Sequence, residues 1–138
     1  MSREWYARPV LFVAHIDRTL DFYVNRLGFT QSWRYEHEGK ALVAQVDRQG
    51  CTLIFTSQWP DKVGNGLMFI SLNVDAPPDK LSVEVSVALD KLRAEFESRG
   101  VDVEDGFWGY KLLVVRDPDG NELYFNYPDA GTPPAEKV

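Results

Sequence analysis

Apolar and polar residues alternate in short runs along most of this chain, and the runs come in two sets. Residues 8–14, RPVLFVA, read as a strand. Ile16, Leu20, Tyr23 and Leu27 then recur at helical spacing on one face. Asp17 is placed to cap that helix, and Gly28 to end it. Residues 29–37 form an aromatic-rich strand containing Trp33 and Tyr35; Glu38-Gly39 makes a turn into a strand at 41–47. A further strand closes the first set near Ser57. Residues 58–66, QWPDKVGNG, read as a linker, and 67–74, LMFISLNV, as the strand opening the second set. Residues 75–88 fit two patterns. Leu81, Val83, Val85 and Val87 alternate like a strand, while Leu81, Val85, Leu89, Leu92 and Phe96 share one helical face. We read helix from about 78, with Asp75 and the prolines at its start, ending at Gly100. Short strands follow near 101–104, 110–116 and 121–127, and AGTPPAEKV forms a loose tail.

One hairpin pattern is present twice. VAQVDRQGCTLIFTS at 43–57 aligns without a gap on LVVRDPDGNELYFNY at 113–127, with Asp47 on Asp117 and Gly50 on Gly120. Each copy reads as strand, four-residue Asp-x-x-Gly turn, strand. The order strand, helix, three strands is therefore given twice. This predicts one α+β domain over residues 1–138, built of two βαβββ modules at about 8–57 and 67–127 joined by the 58–66 linker.

Alternation also separates two faces. Leu11, Val13, Leu53, Phe55, Met68, Ile70, Leu72, Leu123 and Phe125 form an apolar set that should pack under the helices. The opposite set, including Arg8, Phe12, Ile54, Phe69, Glu122 and Tyr124, mixes rings with polar and charged groups. Unpaired polar groups in a packed core would cost about 1–3 kcal/mol each, so that face suits a ligand cup lined by rings. A solvated sheet face is the other reading.

Composition narrows the partners. A net charge of −6 disfavours nucleic acid, whose phosphates need clustered Lys and Arg, and favours a cationic ligand if any. The one cysteine, Cys51, can form no internal disulfide, which fits a cytoplasmic protein, and alternation puts it on the helix-packing face. No run is long enough to cross a membrane, and MSREWYARP is unlike a signal peptide. His15 and His37 are the only imidazoles; His37, between Glu36 and Glu38, reads as a solvated turn, with a metal site there the alternative.

RDPDGNELYF, preceded by Gly109, together with IDRTLDFYVNRLGF, resembles the vicinal oxygen chelate superfamily of glyoxalases, extradiol dioxygenases and bleomycin-resistance proteins. The resemblance spans roughly residues 8–127. It implies paired βαβββ modules whose sheets curve round a cup, and a homodimer with cups at the subunit interface. Metal-dependent relatives place His or Glu ligands at four strand positions, which here fall on Arg8, Ile54, Phe69 (Lys80 if 81–85 is the strand) and Tyr124. One cation, two apolar side chains and a lone phenol (two cations and one apolar side chain if Lys80 replaces Phe69) cannot hold a divalent metal. The resemblance thus implies a metal-independent protein of the bleomycin-resistance type, with no cofactor and no catalytic residue, binding a small aromatic cation. Phe69, Ile54 and Tyr124 would form the floor of its site. Trp33 and Trp108 would stack on the ligand, with Tyr35 a further mouth aromatic, and Arg8 and Glu122 would supply charged handles. Two alternatives remain: a lyase or dioxygenase with its ligands elsewhere, and an interaction module that binds nothing in the cup.

Overall fold

The computed structural model describes residues 4–128. The tail AGTPPAEKV lies outside them. The chain divides into two compact units, Met1–Gly66 with Pro118–Gly120, and Leu67–Asp117 with Asn121–Val138. Each holds a four-stranded mixed sheet with its own helix.

In the first unit the order is β1 (Val10–Phe12), α1 (Ile16–Leu20), β2 (Thr30–His37), β3 (Lys40–Arg48) and β4 (Cys51–Thr56). The sheet runs β1-β4-β3-β2, with β1 parallel to β4 and the other pairs antiparallel. The second unit has β5 (Leu67–Ile70), α2 (Leu81–Ser98), β6 (Val103–Phe107), β7 (Lys111–Arg116) and β8 (Glu122–Asn126), ordered β5-β8-β7-β6 in the same pattern. The fold is α+β, as the repeat predicts. Among the described residues no helix is long and apolar enough to cross a membrane.

The cores follow the alternation. Leu11, Val13, Leu53 and Phe55 are buried with Ile16, Leu20, Tyr23 and Leu27 of the helical segment. In the second unit Met68, Leu123 and Phe125 are buried with Val85, Leu89 and Phe96. Full burial of side chains this size is worth about 1.5–3 kcal/mol each. Gly100, at φ 79°, closes α2; its N–H reaches the Glu97 carbonyl and that of Val101 reaches Phe96.

Several expectations are corrected. The edge strands are shorter than predicted: β1 stops at Phe12, opposite the end of β4 at Thr56, and β5 stops at Ile70, opposite Phe125, one residue before β8 ends. Leu72 therefore lies beyond the ladder and, like Ile70, is only half-buried. Asp17 is not the helix cap. His15 holds that position, and Asp17 lies within the first turn, accepting from Arg34 Nη2 at 3.0 Å. The helix passes into a π-helical segment at Asp21–Arg26, where the Leu27 N–H reaches back five residues to Phe22. The ambiguous stretch is helical, but from Leu81 rather than 78, after a turn closed by the Lys80 N–H on Pro77. Leu81 is 41% exposed rather than part of the core. Cys51 is only half-buried, since it stands at a hairpin end.

The gapless repeat also fails at its turns. In the first hairpin Arg48 pairs Cys51, leaving a two-residue loop of Gln49 (φ 48°) and Gly50 (φ 86°), a type I′ geometry. In the second, the Asp117 N–H bonds the Asn121 carbonyl around a three-residue loop. The second strands of the hairpins, β4 and β8, still correspond at an offset of 70, but the ladders do not: Ile54 faces Gln45, whereas Tyr124 faces Val114. Asp47 thus corresponds to Arg116, not to Asp117.

Candidate functional site

On the second unit, Phe69 of β5 and Tyr124 of β8 are cross-strand neighbours on the face away from Leu123 and Phe125. The loop after β6 turns at Gly109 (φ 75°), where the Trp108 N–H bonds the Tyr110 carbonyl. This turn sets the Trp108 ring edge-on to both partners, 5.5 Å from Phe69 and 5.8 Å from Tyr124 between centroids. Trp108 remains 58% exposed. Beside the rings, Arg116 is held between Glu104 at 2.6 Å and Glu122 at 2.9 Å. The Tyr124 hydroxyl donates to Glu122 Oε1 at 3.4 Å. Burial, then the Glu122 carboxylate, pushes the Tyr124 phenol up, so it stays a neutral donor. Two carboxylates share one guanidinium, which leaves this corner with surplus negative charge.

On the first unit, Trp33 of β2 pairs Gln45 of β3, which pairs Ile54 of β4. Arg8 lies just before β1. Its Nη1 donates to Gln45 Oε1 at 2.8 Å, and the Trp33 indole Nε1–H donates to the same oxygen at 3.1 Å. A bulge in β2 at Ser32 brings its hydroxyl to accept from Gln45 Nε2 at 2.9 Å. Asp47 continues the face; the Thr52 hydroxyl above all, then Ser32, holds its carboxyl below the ordinary range, with Gln45 and Arg8 adding to the effect. Phe12 and Trp59 stand edge to face at 5.9 Å under the Lys62 ammonium, beside a cleft of about 370 Å³.

Of the residues predicted from sequence, Phe69, Trp108, Tyr124 and Glu122 are brought together on one unit, and Arg8, Trp33 and Ile54 on the other. Tyr35, 51% exposed, pairs Val43, two residues along β2 from Trp33. Gln45, Ser32 and Asp47 were missed. The signal for Gln45 lay in the turn: reading Gln49-Gly50 as a two-residue loop puts Gln45 opposite Ile54. His37 reaches only Glu38 Oε2 at 3.3 Å, both exposed. Among the described residues no three His, Cys, Asp or Glu side chains converge as a metal would require. Arg8, Ile54, Phe69 and Tyr124 do not fit a metal ion at the positions they occupy.

The model of the glyoxalase/bleomycin resistance protein/dioxygenase superfamily matches residues 5–125. The chain belongs to this superfamily. Solved structures with the same fold include an antibiotic-binding protein from Streptomyces sp. CB03234 (TM-score 0.65, 20% identity, covering 91% of this chain and 98% of that one). A bleomycin-binding protein complexed with bleomycin matches with TM-score 0.65 and 20% identity, over 91% and 100% of the two chains. The copper(II)-bleomycin complex of the bleomycin-binding protein of Streptomyces verticillus matches with TM-score 0.58 and 24% identity, over 96% and 100%. At these identities the likeness concerns the superfamily fold. No curated protein matches the chain by sequence.

Proposed function

We propose that this superfamily member binds and sequesters a small aromatic molecule bearing a cationic group, without a metal and without chemistry of its own. The observation that carries the reading is the exposed Trp108 ring, held edge-on by Phe69 and Tyr124 beside the carboxylates of Glu122 and Glu104. An exposed indole braced on two sides offers a planar ligand a flat, pre-oriented face, and the adjacent carboxylates favour a cation. Antibiotic binding by solved proteins of the same fold supports this class of ligand. Ile54, Trp33, Tyr35 and Arg8 are the further contacts we assign. The reading includes a single domain, a homodimer and a cytoplasmic location; the dimer is checked by light scattering.

The test is thermal shift with tryptamine and with bleomycin. A ligand at about 100 times its Kd adds about 2.7 kcal/mol, several degrees in Tm. Trp108→Ala should remove the shift. An unchanged shift in that variant, or none with either compound in the wild type, refutes the assignment.

A further inference from the structure

The first unit carries an arginine whose situation differs from that of five others in the chain. Arg18, Arg34, Arg93, Arg99 and Arg116 each form an ion pair. Arg8 forms none with any described carboxylate, in a chain of net charge −6. Asp47 is near enough to feel its charge, yet hydrogen-bonds Thr52 instead. Arg8 lies over the Tyr6 ring, 5.8 Å from guanidinium carbon to centroid, and its hydrogen-bond partner is a neutral amide oxygen, Oε1 of Gln45, a residue only 8% exposed. That oxygen also fixes the Trp33 indole, and Ser32 fixes the amide. A buried amide thus anchors one cation and one ring without neutralising the cation. Nη1 alone is used, so the other guanidinium donors remain for a planar oxyanion.

The shared acceptor also sets a spacing. Two donors at 2.8 and 3.1 Å from one oxygen cannot stand more than about 6 Å apart. Trp33 has its N–H occupied and is still 41% exposed, so what it offers a ligand is its ring. We infer that Arg8 and Trp33 form a subsite for an aromatic ring carrying a carboxylate directly or one carbon away, with Gln45 as the positioning residue that holds both. The ring lies on the Trp33 indole while the carboxylate takes the free edge of the Arg8 guanidinium. This rests on reading the open sheet faces as ligand-binding, but owes nothing to Trp108.

Isothermal titration calorimetry of the full-length protein at low salt with three indoles tests it: indole-3-acetate, its neutral amide indole-3-acetamide, and the cation tryptamine. Indole-3-acetate should bind at least about tenfold tighter than the amide, since only the acid gains a charge-assisted pair, and added salt should erode the preference. Arg8→Gln should make acid and amide equal. Gln45→Glu keeps an acceptor for both donors but neutralises Arg8; it should lose the acid about tenfold and leave amide binding nearly unchanged. Gln45→Leu should weaken acid and amide together, because both Arg8 and Trp33 lose their anchor. Melting curves establish that each variant is folded. Equal affinity for acid and amide in the wild type, or an acid preference that survives Arg8→Gln, overturns the inference. Binding of tryptamine alone overturns it while leaving the Trp108 reading intact, and binding of indole-3-acetate with neither tryptamine nor bleomycin does the reverse.

Discussion

Tyr127 joins three elements of the second unit through one hydroxyl and one ring, and removing the hydroxyl alone has a calculable effect. The side chain is 5% exposed. Its hydroxyl donates to Asp90 Oδ1 of α2 at 2.8 Å, and the Lys111 ammonium of β7 lies 4.6 Å from the ring centroid. Tyr127→Phe keeps the ring and the Lys111 contact. A hydrogen bond to a charged acceptor is worth about 1.5–3 kcal/mol. Asp90 stands in solvent, so about 1–2 kcal/mol is expected at pH 7, roughly 3–6 °C in Tm. Burial first, then the bond to Asp90, pushes the phenol up to about 12 from 10.0. Below pH 10 both folded and unfolded chains keep this proton, and the contribution is whole. Between pH 10 and 12 the unfolded chain releases it first, so stability falls as pH rises. At about 1.36 kcal/mol per unit the ceiling is near ~2.7 kcal/mol, and solvent around Asp90 lowers the expected loss to about 1–2 kcal/mol. Urea unfolding of both proteins from pH 7 to 11.5 measures the gap between them. It should narrow steadily above pH 10. A gap as wide at pH 11.5 as at pH 8 refutes the reasoning.

Other consequences are simpler to check. Gln49 holds a left-handed conformation that Asn adopts at less cost, so Gln49→Asn should stabilise by about 0.5–1 kcal/mol in urea melts. Asp117, itself buried, accepts from the buried Asn121 N–H and side-chain amide, both at 3.0 Å. Asp117→Ala should cost about 1–3 kcal/mol by leaving those donors unsatisfied, read as a lower urea midpoint. Burial, then the Asp47 carboxylate, pushes the Cys51 thiol up, so at pH 8 Ellman's reagent should label it at least about tenfold more slowly than in the urea-unfolded chain.

The periodic parts of the fold were legible because burial enforces them. Leu53, Phe55, Leu123 and Phe125 occupy the core face that alternation assigns, and Ile16, Leu20, Tyr23 and Leu27 share one buried helical face. Strand lengths were not legible, since Leu72 and Val74 continue the alternation after the partner strand has ended. Nor was the first turn: Asp-x-x-Gly reads alike in both copies, while Gln at φ 48° gives no sign of itself. In the site, exposed rings near turns drew attention to Trp33 and Trp108. Gln45 drew none, because an amide in a strand gains its role from the two donors that reach it across the sheet, and the sequence keeps those 37 and 12 residues away.

The unequal hairpin loops bear on any attempt to exchange the two halves of this chain. A duplicated gene invites chimeras joined at matching residues of the repeat, and here the matching residues mislead. The second hairpin strands, β4 and β8, can be traded at an offset of 70, which keeps Leu53 and Leu123 on the core face. The same offset applied to β3 and β7 would set Gln45 where Val115 packs, and Val114 where Ala44 packs. A slip of one residue inverts every side chain of a strand. A crossover within β4 would preserve both faces, whereas one within β3 would put the Gln45 amide into the core and move Val115 to the opposite sheet face.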